Sequence, residues 1–198
     1  GSVLCGRLLE LGYEVVGMDN FHKGHGDSII PFMTNPAFSF VYGDVSQPKD
    51  VQNAYKHNPD GVIHLAAIVG FPACRRQPGL SKLVNVEGAR NMLTCSDVPL
   101  VFASTGSVYG KVEDMCREDS PTVPLTEYGQ DKLEAEELVT ESDSTVAFRF
   151  ATGYGVSPCM RVNLLVNDLV YQAVKARSFS MFEADAKRTF IHVQDMAR

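Results

Sequence analysis

The chain contains 198 residues, with 18 basic and 24 acidic side chains and a formal net charge of −6. Hydrophobic residues make up 44% and charged residues 21%, which is ordinary for a globular protein and excludes a disordered or low-complexity chain. The acidic balance argues against nucleic acid or an anionic membrane surface as the main partner. The 5 cysteines are scattered and form no C-x-x-C pair, so we expect a reducing compartment.

The sequence contains no pattern typical of a membrane span or a leader. Its most apolar stretch, residues 61–71, is much shorter than the roughly 20 residues that cross a bilayer, and it contains His64. The N-terminus has no basic region that leads into an apolar one, so no signal peptide is predicted. We therefore expect a cytoplasmic protein without a membrane segment.

Helical and extended patterns alternate along the chain. Leu4, Leu8 and Leu11 recur at helical spacing and Gly12 follows them, which predicts a first helix over residues 2–11. The predicted strands cover residues 14–18, 39–42, 61–66, 100–104, 145–150 and 189–193. The other predicted helices cover residues 48–57, 78–95, 126–141 and 162–176.

This alternation predicts the fold class. Strands separated by helices of ten or more residues imply right-handed crossovers and a parallel sheet covered on both faces. The predicted class is therefore α/β, a doubly wound parallel sheet with helices on both faces. Ligands of such sheets bind outside the carboxyl ends of the strands, which makes the residues near four of these ends the first candidates. They are Asp19, Asp44, Ala67 and Thr105.

Asp19 has the position of a residue that binds a dinucleotide. An acidic side chain after the second strand of such a fold accepts hydrogen bonds from the adenosine ribose and repels a 2′-phosphate, which favours NAD over NADP. An aspartate that caps a loop turn explains the position equally well. Gly1, followed by a helix and by Asp19 eighteen positions later, fits the third glycine of a phosphate-binding loop. The strand and the two glycines before it are absent, so we expect a fragment.

Tyr128 and Lys132 form the strongest catalytic candidate, because four-residue spacing places both on one face of a predicted helix. A tyrosine hydroxyl titrates at about pH 10, so acid/base work near neutrality needs a neighbouring cation. Lys132 would supply it, and the Thr105 hydroxyl would hold the reacting oxygen against the tyrosine. Tyr171 and Lys175 repeat the spacing on a helix whose apolar side predicts core packing, so the spacing alone is weak evidence.

Nine short motifs in this order resemble the extended short-chain dehydrogenase/reductases, in particular the NAD-dependent nucleotide-sugar epimerases and dehydratases of the UDP-glucose 4-epimerase type. The resemblance runs the length of the chain and implies a Rossmann-like fold. The motifs are the Gly1 helix start, Val-Val-Gly-Met-Asp19-Asn20, Gly43-Asp44-Val45, His64-Leu-Ala-Ala67, Val84-Asn85-Val-Glu-Gly88, Ser104-Thr-Gly-Ser-Val-Tyr-Gly110, Tyr128-x-x-x-Lys132, Arg149-Phe150 before Tyr154-Gly155, and Arg188-Thr-Phe-Ile-His-Val193.

The resemblance implies NAD as the cofactor. Asp44 and Val45 would lie beside the adenine, and Asn85 would support the nicotinamide end. Tyr128 and Lys132 would contact the nicotinamide ribose. The remaining cofactor-binding candidates are Gly1, Asp19, Asn20 and, beside the diphosphate and ribose, Leu65, Ala66 and Ala67.

The resemblance also implies the catalytic and substrate-binding residues. Thr105, Tyr128 and Lys132 are the catalytic candidates, with Tyr128 as the acid/base. The substrate-binding candidates are Thr105, Ser107 and Arg188. Arg188 would face the diphosphate of the sugar nucleotide, because a guanidinium suits phosphate oxygens. A solvated arginine on a strand edge is the alternative for Arg188.

The implied reaction is NAD-dependent epimerisation of a nucleotide sugar through a transient keto intermediate. Dehydratases of the family carry an Asp-Glu pair directly after the catalytic threonine, and Gly106 and Ser107 here cannot transfer protons in that way, which favours an epimerase. A 4,6-dehydratase, a decarboxylase or a steroid-type dehydrogenase is the alternative, and a non-catalytic NAD-binding regulator is less favoured. The expected partner is the nucleotide-sugar substrate, and a homodimer stays open.

Some charged residues have two interpretations. Asp131 occupies the position before Lys132 where a small hydroxyl residue is usual, so it would alter the charge near the lysine or point to solvent. Arg75 and Arg76, in the loop after the strand at 61–66, would contact a substrate phosphate or be solvated. His22 and His25 form an H-x-x-H pattern, but zinc needs more ligands, so no metal is predicted.

Two regions are predicted. Residues 1–152 would form the NAD-binding domain, and residues 153–198 would begin a substrate-binding region that is interleaved with the last strands. The family's first strand would lie at the centre of the sheet, so its absence would leave two neighbouring strands without a partner. We therefore expect the 198-residue chain by itself to be poorly soluble or inactive.

Overall fold

The computed structural model describes residues 1–24, 26–95, 97–112, 115–181 and 184–198. His25, the second histidine of the H-x-x-H pattern, lies outside the described residues. The helices are α1 (Ser2–Glu10), α2 (Pro48–Tyr55), α3 (Phe71–Arg76), α4 (Pro78–Lys82), α5 (Gly88–Cys95), α6 (Glu127–Val139), α7 (Leu165–Ala176) and α8 (Val193–Met196). The strands are β1 (Val15–Asp19), β2 (Phe38–Tyr42), β3 (Val62–His64), β4 (Leu100–Thr105), β5 (Thr145–Phe150), β6 (Thr152–Tyr154) and β7 (Phe190–His192). Over these ranges, no helix combines the length and apolar character that a bilayer crossing requires.

The strands form three sheets. β1 pairs with β2, β3–β4–β5 form a parallel sheet in that order, and β6 pairs in parallel with β7. In the three-stranded sheet, Phe102 lies opposite His64 on β3 and Ala147 on β5. The predicted α/β class is confirmed, and no described strand pairs with both β1 and β3, so these strands lie in separate sheets.

The chain forms two compact units. One comprises Gly1–Val15, Phe21–Ser39 and Ala151–Arg198 and holds helices α1, α7 and α8 with the β6–β7 pair. The other comprises Val16–Asn20 and Phe40–Phe150 and holds the three-stranded sheet with helices α2 to α6.

Helix α6 packs its apolar face into the core of the second unit. Ala135 and Val139, one helical turn apart, are fully buried with Phe102 of β4. Tyr128 and Lys132 precede them at i−7 and i−3 of Ala135, so the helical repeat carries both side chains onto the same face. The core-facing stripe of α6 therefore contains the predicted catalytic pair.

The helix predicted over residues 78–95 is interrupted. A π-helical turn, Leu83–Glu87, separates α4 from α5 and carries the buried Asn85. Such turns shift the register of a helix and are frequent at functional sites. Arg75 and Arg76 do not lie in a loop as predicted, because Gly70 at φ +88° and a proline at the start of α3 begin a short helix there. Six residues are too few for periodicity to reveal this helix.

Candidate active site

The start of helix α6 lies close to the turn that follows β4. Thr126 caps the helix, with its Oγ1 accepting a hydrogen bond from Gly129 N at 3.1 Å. A Cβ atom on Gly129 would lie 2.9 Å from Pro124 Cβ and 3.1 Å from the Ser107 carbonyl oxygen. Only glycine permits this approach, so the residue after Tyr128 sets the distance between the helix and the turn.

Thr105, the predicted catalytic hydroxyl, ends β4 and begins a 3-10 turn, Gly106–Tyr109. Its Oγ1 accepts a hydrogen bond from Ser107 N at 3.2 Å and donates to Ser107 Oγ at 3.2 Å. Thr105 is buried and Ser107 is exposed. The structure thus brings together two of the three predicted substrate-binding residues.

Lys132 carries its ammonium group into the core. The side chain is 2% exposed, and its Nζ lies 3.8 Å from the centre of the Phe102 ring. Burial lowers the pKa of Lys132 to about 7, and the Glu136 carboxylate opposes this shift. The contact of Nζ with the Phe102 ring uses the charge of the ammonium group rather than a hydrogen-bond acceptor.

Glu136, one turn beyond Lys132, anchors a network that the sequence analysis missed. Arg149 of β5 donates to Glu136 Oε1 from Nη2 at 2.6 Å and from Nε at 2.8 Å, and Ser104 donates to Oε2. Arg149 Nη1 also donates to the Tyr109 hydroxyl at 3.0 Å. The hydrogen bonds to Glu136 raise the pKa of Arg149. The i, i+4 spacing from Lys132 was the available signal for Glu136.

His64 at the end of β3 completes the buried surroundings of Phe102. It is 4% exposed, and its ring centre lies 5.8 Å from that of Phe102. Burial lowers the pKa of His64 to about 3, and the charge of Lys132 adds to the effect. Its Nε2 has no hydrogen-bond partner within the described part of the chain. His64 is therefore neutral at physiological pH.

Asn85 holds the backbone that follows β3. Its Oδ1 accepts from Ile68 N at 2.8 Å, and its Nδ2 donates to the Ile68 carbonyl at 3.0 Å and to Ser81 Oγ at 3.2 Å. Ser81 Oγ in turn donates to Asp131 Oδ2, so the Asp131 carboxylate is engaged within the fold. Ile68 follows the predicted cofactor residues Leu65, Ala66 and Ala67, of which Leu65 is exposed and the other two are half-buried.

The ends of β1 and β2 are also joined. Asn20 Nδ2 donates to Asp44 Oδ2 at 2.8 Å, and Asp44 Oδ1 accepts from Ser46 N at 2.8 Å. A backbone hydrogen bond also joins the two strand ends, because the Asp19 carbonyl accepts from Gly43 N at 3.2 Å. Val45, predicted beside the adenine, is buried in the core. Three predicted cofactor-binding residues, Asp19, Asn20 and Asp44, therefore lie at one edge of this sheet.

The remaining predicted site residues lie in the first unit. Gly1 is the N-cap residue of α1, and Arg188 is exposed before β7. His192, predicted as a structural histidine, packs edge-on against Tyr154 with ring centres 5.2 Å apart, and its Nδ1 accepts from Gln194 N at 3.3 Å. The hydrogen bond from Gln194 N caps α8.

Similar proteins were found by sequence and by structure. The UDP-glucose 4-epimerase of Halalkalibacterium halodurans is 26% identical over 96% of this chain and 63% of its own length, and that of Streptococcus mutans is 29% identical over 76% and 46%. The crystal structure of UDP-glucuronic acid 4-epimerase from Bacillus cereus in complex with UDP-glucuronic acid and NAD is 27% identical and matches with a TM-score of 0.87, covering 100% of this chain and 67% of that one. This likeness confirms the predicted doubly wound fold.

The chain spans about half to two thirds of the length of these curated relatives. The family described as "NAD dependent epimerase/dehydratase family" matches residues 1–198. Since this match covers every residue, the resemblance drawn from the nine motifs is confirmed: the chain belongs to the NAD dependent epimerase/dehydratase family.

Proposed function

We propose that the intact protein catalyses NAD-dependent epimerisation of a nucleotide sugar through a transient keto intermediate. The observation that carries the proposal is the buried Lys132, which shares the core-facing stripe of α6 with Tyr128, beside the turn after Thr105. The epimerases of H. halodurans and B. cereus, which are similar over nearly the whole chain, support it.

The polar groups of the second unit fit NAD. Asp19, Asn20 and Asp44 offer carboxylate and amide groups to ribose hydroxyls and an adenine amino group, and the charge of Asp19 opposes a 2′-phosphate. Lys132 offers ammonium donors to the nicotinamide ribose. When bound, NAD would accept a hydride from the sugar and return it.

Tyr128 and Lys132 would share the proton transfer. Tyr128 takes the proton of the sugar hydroxyl while the hydride leaves, and it gives the proton back when the hydride returns. Lys132 stabilises the phenolate by its charge, and its pKa of about 7 lets its protonation respond to a bound ligand near neutrality. The Thr105 hydroxyl, fixed by Ser107, holds the reacting oxygen.

Gly106 and Ser107 favour epimerisation over dehydration. Water elimination needs an acid and a base next to the sugar, and the 3-10 turn after Thr105 has no carboxylate at either position. The turn instead uses Ser107 to orient the Thr105 hydroxyl.

The experiment incubates the intact protein with nucleotide sugars and catalytic NAD and follows the sugar ring by proton NMR. Inversion at one ring carbon without accumulating NADH is expected. A 6-deoxy-4-keto product, loss of carbon dioxide from a uronic acid, or no turnover across the panel would each contradict the proposal.

Tyr128→Phe is expected to lower kcat by about 10²- to 10⁴-fold, because the acid/base is lost. Tyr171→Phe is the matched control, since Tyr171 has the same spacing to Lys175 but lies half-exposed on α7. The control should retain full activity, and equal losses in both variants would remove Tyr128 from the reaction.

A further inference from the structure

A chain of hydrogen bonds connects helix α6 to the backbone after β3. It runs from Asp131 through Ser81 Oγ to Asn85 Nδ2, and the Asn85 amide then pairs with both backbone groups of Ile68. Ser81, Asn85 and Ile68 are all buried, and Asp131 directly precedes Lys132. The catalytic helix is thereby connected to the loop that the proposed function places beside the cofactor.

The hydrogen bonds that connect Asp131, Ser81 and Asn85 all run in one direction, from donor to acceptor. An ionised carboxylate only accepts, so the single hydroxyl proton of Ser81 must point to Asp131. The Ser81 oxygen can then only accept, and it takes one hydrogen of Asn85 Nδ2. The same amide orientation places Asn85 Oδ1 toward Ile68 N and the other Nδ2 hydrogen toward the Ile68 carbonyl. A serine or threonine at position 131 could donate or accept and would not enforce this direction.

We propose that Asp131 is a positioning residue, which acts through Ser81 and Asn85 to fix the loop at Ile68 relative to helix α6. The consequence for NAD binding rests on the proposed function, whereas the effect on the loop does not. Cys74 of α3 adds a weaker contact, as its Sγ lies 3.3 Å from the Ile68 carbonyl.

The titratable groups around Asp131 come from three helices. Lys82 of α4 pairs with Glu134 of α6 at 3.1 Å, Glu127 lies one turn before Asp131, and the Cys74 thiol belongs to α3. Burial raises the pKa of Asp131, while the Ser81 hydrogen bond and Lys82 oppose this shift. The hydroxyl of Ser81 is thus a principal partner of the ionised Asp131 carboxylate.

The test measures hydrogen–deuterium exchange of the peptide around Ile68 in the intact, NAD-free protein. Asp131→Ala and Ser81→Ala should each speed exchange of the Ile68 amide by about three- to tenfold, the effect of one lost hydrogen bond. The double variant should show no further increase in the exchange rate, because both substitutions break the same series of hydrogen bonds. Asp131→Asn keeps an acceptor and should restore most of the protection. NAD should bind to the two alanine variants about three- to tenfold more weakly.

Glu137→Ala is the matched control, because it removes an exposed carboxylate from the same helix. It should leave the Ile68 amide and NAD binding unchanged. Unchanged exchange at Ile68 in Asp131→Ala, additive effects in the double variant, or equal acceleration of every core amide would overturn the positioning role. If the exchange result holds but no nucleotide sugar turns over, the proposed function fails while the positioning role stands.

Discussion

Burial of the Lys132 ammonium group costs free energy, which other interactions of the folded protein must offset. Its pKa of about 7 lies below the ordinary 10.5, so the unfolded chain binds more protons between these values. Stability of the NAD-free protein should therefore rise as the pH increases from about 7 to 10.5. Lys132→Met should flatten this rise, make the protein at least as stable at pH 7, and lower kcat by about 10²- to 10⁴-fold.

Urea unfolding at pH 7 and pH 9 checks this prediction. Lys175→Met is the control, because Lys175 is exposed on α7 and its loss should change neither slope nor activity. A wild-type stability that does not rise between the two pH values would contradict a lowered pKa for the buried Lys132.

His64 predicts a loss of stability on the acid side. Its pKa of about 3 lies below the ordinary 6.5, so the unfolded chain binds more protons in that window and stability falls as the pH drops below 6.5. At pH 5 the protein should have lost about 2 kcal/mol of the stability that it has above pH 6.5, because each pH unit contributes about 1.4 kcal/mol. His64→Leu should remove this part of the acid sensitivity, and thermal unfolding at pH 8 and pH 5 measures it. His57→Leu, at an exposed position, should keep the wild-type difference.

At the scale of elements, Gly129 sets how closely helix α6 approaches the turn after Thr105. Gly129→Ala would place a methyl group 2.9 Å from Pro124 and 3.1 Å from the Ser107 carbonyl, so the helix start must shift. We expect about 1–3 kcal/mol of lost stability together with lower kcat. Gly79→Ala in α4 is the control, because nothing lies within 4 Å of its Cβ position and alanine favours a helix.

Denaturant unfolding and kcat measured on both variants test this packing. Equal stability of the two variants would show that the helix start has room for a side chain.

The alternation of hydrophobic patterns predicted most elements, because each depends on local periodicity. The predicted helix over 126–141 became Glu127–Val139, whose core stripe follows from residues three and four apart. β6 was missed because three residues give no alternation, and α3 was missed because six give no helical period. The predicted core side of α7 is not buried, with Leu165 44% exposed.

The contacts of the candidate site were less accessible to sequence reasoning. Ser81 and Asp131 are 50 positions apart, and no spacing rule connects an alcohol on one helix to a carboxylate on another. Lys132 was found because it shares a helix face with Tyr128. Glu136 repeats that spacing, yet only the fold shows that Arg149 neutralises it.

At the scale of the whole molecule, NAD binding should stabilise the intact protein by mass action. At 100 times its dissociation constant, NAD adds about 2.7 kcal/mol to the free energy of unfolding. NADP should stabilise less, because the carboxylate of Asp19 repels its 2′-phosphate. Asp19→Ser should reduce the difference between the two cofactors in a thermal-shift titration, whereas Asp60→Ser, at an exposed position, should preserve it. Equal stabilisation of the wild type by both cofactors would contradict the role of Asp19.

All five cysteines are free thiols, and only Cys74 is fully buried. Burial raises the pKa of the Cys74 thiol, so little reactive thiolate forms while the loop at Ile68 stays closed. An alkylating reagent should therefore modify the four partly exposed cysteines first and reach Cys74 only when that loop opens. The rate of the slow labelling phase would therefore measure how often the loop opens in the native protein, without any introduced probe.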